Sequence, residues 1–102
     1  MYNTMHFEWD PDKNRSNQKK HGGIDFELAS RVFSDPFTML RKDRVVDGEQ
    51  RWQAIGAVHR AVLLVVHTYL EEDSYGEEII RIISAREANP AERRIYLEQA
   101  YD

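Results

Sequence analysis

Four side chains carry reactive chemistry where the chain has reason to hold them in place: Arg86, Arg51, His21 and Glu49. Arginine stays charged at any working pH, and its planar fork grips two phosphate oxygens at once. Histidine exchanges a proton near neutrality. A carboxylate can serve as a base. Such a set permits acid–base chemistry at a phosphate ester without singling out a substrate. That chemistry needs a base, an acid for the leaving oxygen and cations for the charge on the phosphorane, and it does not strictly require a metal.

Each residue also has a structural alternative. Arg86, at a strand end just before a helix cap, can form a salt bridge to Glu8, Glu49 or Glu92. Arg51 can pair across strands with an acid, and Glu49 is one such acid. His21 can cap its helix by bonding the last carbonyls. His59 falls in a turn with Arg60, His67 lies in an apolar strand, and His6 is close to the terminus. Histidines at 6, 21, 59 and 67 lack helical metal-ligand spacing, and cysteine is absent, so zinc and disulfides are not expected. No phosphate loop, nucleophile elbow or dinucleotide fingerprint occurs, which argues against cofactor-dependent chemistry.

The 102 residues suffice for one domain with a modest core, and the expectation is a single domain over residues 1–102. No apolar run is long enough to span a bilayer, so a cytoplasmic protein is expected. The net charge of −4 argues against indiscriminate nucleic-acid binding. The charge is uneven, however. Lys13, Arg15, Lys19 and Lys20 cluster early, and acidic residues cluster between Glu71 and Glu78. A local basic face can hold a phosphate backbone within an acidic total. A solvated helix face explains the same lysines equally well.

The elements follow from punctuation and periodicity. Residues 5–9 alternate as a short strand. Asp10 as N-cap and Pro11 at the first helical position open a helix over about residues 11–21, which Gly22 and Gly23 stop. Asp25 caps a second helix, with Phe26, Ala29, Val32 and Phe33 on one face, ended by Asp35-Pro36. Then the period becomes two. Strands are expected at 37–40, 51–58, 61–66 and 79–86, with Asp47-Gly48 as a turn and Glu71–Glu78 as a hairpin tip. Gly56 marks a bulge or a close backbone approach. Strict alternation in the last strand puts Ile80, Ile82, Ser84 and Arg86 on one face and Ile79, Arg81, Ile83 and Ala85 on the other. An arginine there must reach water, an acid or a ligand. Asn89, Pro90 and Glu92 form the opening of a final helix with a capping box. The fold class is α+β, a small antiparallel meander with two helices before it and one after.

The residues Phe7-Glu8-Trp9-Asp10-Pro11, Asn17 and Lys20-His21-Gly22 resemble the start of the BrnT toxins of bacterial type II toxin–antitoxin systems. The similarity continues through Phe26-Glu27-Leu28-Ala29, Val32-Phe33, Asp35-Pro36, Gly48-Glu49-Gln50-Arg51 and Val65-Val66-His67-Thr68. It extends through Ile80-Arg81-Ile82-Ile83-Ser84-Ala85-Arg86 to Glu92-Arg93-Arg94 and Tyr96. Singly these motifs are weak; their order along nearly the whole chain is specific. The resemblance implies a RelE-like fold and metal-independent endoribonuclease activity that inhibits growth. It also implies a BrnA-like antitoxin with a ribbon-helix-helix domain. The resulting heterotetramer would repress its own operator. Arg86 matches an arginine suspected of catalysis in that family. Lys13, Lys19, Lys20 and Arg81 are then the cations expected to hold RNA. The alternative is a RelE-shaped binding module without catalysis, acting only as antitoxin partner and co-repressor.

Overall fold

The computed structural model describes residues 5–70 and 77–101, so most of the expected hairpin tip at Glu71–Glu78 lies outside the described residues. Five strands form one sheet in the order β1-β5-β4-β3-β2. They are β1 (Met5–Glu8), β2 (Met39–Val46), β3 (Glu49–Val58), β4 (Ala61–Leu70) and β5 (Glu78–Glu87). Strands β2 to β5 form the expected antiparallel meander. The expectation of a wholly antiparallel sheet is corrected at one edge, because β1 pairs with β5 in parallel. The reason is connectivity. The chain leaves β1 through α1 (Pro11–Lys20) and α2 (Phe26–Ser30), re-enters the sheet at its far edge as β2 and reaches β5 only at the end of the meander, so no hairpin forces the β1–β5 pair to be antiparallel. The second helix is also shorter than expected. It gives way to a 3₁₀ turn at Arg31–Ser34 before Asp35-Pro36.

Helix α1 has almost no apolar side chains, and its only buried residue is Asn17. Propensity and a hydrophobic face cannot hold such a helix to the sheet. Amide side chains do it instead. Strand β1 ends at Glu8, beside Arg81, leaving the outer edge of β5 open beyond that point. The Asn17 side chain takes the place of a strand there. Its Nδ2 donates to the Ala85 carbonyl at 2.8 Å and to the Ile24 carbonyl at 3.1 Å, and its Oδ1 accepts from the Ala85 amide at 3.0 Å. Asn14 Oδ1 accepts from the Phe26 amide at 2.9 Å, tying α1 to α2. Asn17→Ala is expected to cost about 2 kcal/mol of stability, because it strands three buried backbone groups. Urea unfolding checks this, and a variant as stable as wild type would refute it.

The two faces of the sheet bury separate clusters. On one, α2 and the 3₁₀ turn cover Ala54, Val58, Leu63, Val65, Ile82 and Ala85 with Phe26, Ala29 and Val32. Gly56 permits this approach, since a Cβ there would collide with Thr38 Oγ1 and come within 2.9 Å of Val32 Cγ1. On the other face, α3 (Pro90–Ala100) lays Tyr96 and Leu97 over Ile55, Val62, Leu64 and Met39. Tyr96 donates its hydroxyl to Asp35, which also accepts from the Ala57 amide at 2.8 Å and the Phe37 amide at 3.0 Å. Burial pushes the Asp35 carboxyl up, but these donors outweigh it and hold it below the usual carboxylate range. Burial and the neighbouring carboxylate push Tyr96 up to about 12. The helix that carries Glu92 is thereby clamped at its middle.

Candidate active site

Strict alternation in β5 fails at one residue, and that failure assembles the site. Val66 pairs with Ser84 while His67 pairs with Ile82, so Ile83 is the extra residue of a β-bulge. Ile82 and Ala85 therefore both face the α2 cluster. Arg86 does not share a face with Ile80 and Ile82 as alternation predicts; it turns to the α3 face. Arg81 lies on that face too, where it pairs with Glu8 through Nε at 3.0 Å and Nη2 at 2.8 Å. The acid that an arginine in an apolar strand requires is thus on the neighbouring strand.

At the α3 face Arg86 meets Glu92. Nη1 donates to Oε1 at 2.7 Å and Nη2 to Oε2 at 3.0 Å, a bidentate pair. Arg41 Nη2 reaches the same carboxylate at 3.3 Å, and Arg41 Nε donates to Gln53 Oε1 at 2.6 Å. Glu92 Oε1 also accepts from the Asn89 amide at 2.9 Å, completing the capping box. One carboxylate that is only 7% exposed therefore orients two guanidinium groups and opens a helix. Hydrogen bonding to Arg86 lowers the Glu92 pKa against the opposing effect of burial, with help from the Asn89 amide and the Arg41 charge. The same bonds raise that of Arg86.

The stability carried by this depressed carboxyl is present above the unfolded value and is lost as pH falls through the lower folded one. Glu92→Gln is expected to destabilise by about 1–2 kcal/mol at pH 7. The gap from wild type should close in acid as wild-type Glu92 itself protonates. Denaturation at pH 7 and below pH 4 tests this; a gap independent of pH would contradict it.

The other expected residues are placed as follows. His21 follows α1, where Gly22 and Gly23 turn the chain at φ 65° and 83° and the Gly23 amide bonds the Gln18 carbonyl. The side chain makes no hydrogen bond among the described residues, so the C-cap alternative gains nothing from it. His21 and Arg86 line one cleft together with Gly22, Ile24 and Glu87. Arg51 is on the α3 face of β3, two residues from Gln53, with no ion pair to Glu49 or any other described acid. Glu49 opens β3, six residues before Ile55, which shares a cross-sheet row with Leu64 and Arg86. That spacing is about 20 Å of strand, so the structure does not bring Glu49 to Arg86. Lys13 shares a second cleft with Trp9 and Arg81. Lys19 and Lys20 are exposed in the last turn of α1.

Sequence reasoning missed Arg41 and Gln53, and read Glu92 as a cap or as one of several acids for Arg86. A signal existed. In a capping box the carboxylate spends one oxygen on a backbone amide, and its remaining acceptor sites are free for other donors. His67, read as a core or face histidine, is indeed in the core and away from the site. No cluster of potential metal ligands occurs among the described residues, and none of their helices is long and apolar enough to cross a membrane.

No curated protein matches the chain. A family model described as ribonuclease toxin, BrnT, of type II toxin–antitoxin system matches residues 9–92. That span runs from Trp9 through the first turn of α3 and includes His21, Arg41, Arg86 and Glu92, so the chain belongs to the BrnT family of type II ribonuclease toxins.

Proposed function

We propose that this chain is a metal-independent endoribonuclease toxin. In this reading the Arg86–Arg41 pair stabilises the transition-state phosphorane and His21 exchanges the proton. The observation that supports it most is the convergence of two arginines on one buried carboxylate beside the His21 cleft. Guanidinium groups fixed before substrate arrives cost little reorganisation during reaction. Glu92 neutralises one of the two positive charges, leaving a net cation to meet the phosphate. Arg51 extends the cationic face along β3, and Arg81, Lys13, Lys19 and Lys20 hold the flanking backbone of the RNA. Glu49 lies far from Arg86 along the sheet and takes no part in this centre.

As in the family it belongs to, the toxin is neutralised by an antitoxin. We assign that partner to the BrnA-like, ribbon-helix-helix type, with the complex repressing its own operator as a heterotetramer in the cytoplasm. One observation favours the second reading, a binding module without catalysis. Both terminal nitrogens of Arg86 are already engaged by Glu92, as in a purely structural pair. Incubating antitoxin-free protein with end-labelled RNA in EDTA separates the two. Cutting that is lost in Arg86→Ala supports the enzyme, and no cutting by folded wild type, with or without ribosomes, supports the module.

A further inference from the structure

We propose that a groove at the β3–β4 turn is the docking site of an antitoxin segment bearing apolar side chains flanked by carboxylates, and that its occupant closes the His21–Arg86 cleft. The inference rests on the antitoxin partner of the preceding reading.

The groove lies where the end of the sheet opens between α2 and α3. Ile24, Leu28, Val58, Ala61, Leu63 and Ala88 make an aliphatic lining. Its rim is basic. Arg60 stands in the tight turn after Val58, and Arg93 stands on the first turn of α3. The adjoining surface of α3 adds Arg94 and the 84% exposed Tyr101. None of the three arginines has an ion pair among the described residues. They outnumber Glu87 and Glu98, the carboxylates on the same two surfaces. In a chain whose total charge is −4, this is a local reversal of sign.

The three surfaces are continuous. The groove shares Ile24 and Glu87 with the cleft that holds His21 and Arg86, and Pro90 and Arg93 with the outer surface of α3. An aliphatic floor favours leucine-like side chains of a peptide over nucleobases, which stack on aromatic faces. Unpaired arginines at the rim favour carboxylates on the same peptide. A segment seated there and directed toward Glu87 would lie over the entrance to the catalytic cleft. Neutralisation would then be steric, with no rearrangement of Arg86 or Glu92.

The test uses the full-length toxin, its antitoxin and two variants at exposed positions outside the catalytic cleft, Arg60→Glu and Arg93→Glu. Affinity for the antitoxin is measured by calorimetry, RNA cleavage is measured without antitoxin, and melting temperature controls for folding. The expected result is affinity weakened about tenfold or more in each variant, with cleavage and melting unchanged. Hydrogen exchange should also slow at Val58–Leu63 on binding. Unchanged affinity in both variants overturns the proposal. Lost cleavage with unchanged affinity overturns it too and makes the groove an RNA path. A wild type that binds no antitoxin removes the partner reading itself. A wild type that binds but cuts no RNA removes only the enzyme reading, because the affinity comparison stands without cleavage.

Discussion

Arg86→Ala is expected to lower the rate of RNA cleavage by about 10²–10³-fold, the usual consequence of removing one preorganised donor to a developing oxyanion. The same change leaves Glu92 buried with only Arg41 and the Asn89 amide for company. A stability loss of about 1–2 kcal/mol is therefore expected as well, kept modest because the Arg86 side chain is 37% exposed. The two effects separate by size. A loss of 1–2 kcal/mol leaves a protein of ordinary stability almost fully folded, so it cannot account for a hundredfold loss of rate. Arg86→Lys sharpens the comparison. It keeps the charge but not the planar fork, and should recover more of the stability than of the activity. Cleavage rates alongside urea unfolding provide the check. A purely structural Arg86 would show the stability loss and no drop in rate per folded molecule.

The second large effect is on acid stability and comes from His67. This side chain is fully buried in β4, with both ring nitrogens unpartnered, its ring set edge-on to Phe33 at 4.8 Å and to Tyr69 at 5.1 Å. Burial pushes its pKa down from 6.5 to about 4. Above pH 6.5 the histidine is neutral in both folded and unfolded chains and the stability is fully present. As pH falls toward 4 the unfolded chain takes up a proton that the folded chain refuses, and stability is lost. Below 4 both states are protonated and this contribution is flat. The loss across the window is about 3 kcal/mol. His67→Leu should flatten the stability profile between pH 6.5 and 4, leaving the steeper acid loss from Asp35 and Glu92 at lower pH. Unfolding free energies at intervals across that range decide the matter, and a variant with the same slope as wild type would contradict the assignment. Its neighbour Thr68 also has a buried, unpartnered hydroxyl, which leaves this stretch of β4 apolar in surroundings and polar in content.

What the sequence made legible was local. Asp10-Pro11, the two glycines after His21, Asp47-Gly48 and the Asn89–Pro90–Glu92 box each carry their own geometry, and the structure shows each where expected. What it hid depends on distant partners. The parallel pairing of β1 joins it to the last strand of the meander, and nothing in Met5–Glu8 encodes it. The bulge at Ile83 is fixed by the register with Val66 and His67, and it reverses the face on which Arg86 emerges. Asn17 reads as one more polar residue on a polar helix until the open edge of β5 gives it a role. Arg41 acquires meaning only once α3 folds back across the sheet and offers it Glu92, and Gln53 only as the acceptor that holds Arg41 Nε.

The measurement that bears most directly on the proposed catalytic centre is cleavage of end-labelled RNA in EDTA by antitoxin-free wild type and by Arg86→Ala, with His21→Ala and Glu49→Ala in parallel. The expected result is cutting by wild type, loss in Arg86→Ala, strong reduction in His21→Ala and near-normal cutting by Glu49→Ala. Folded, antitoxin-free wild type that cuts nothing, or an Arg86→Ala protein that cuts as fast as wild type, would contradict a centre built on Arg86.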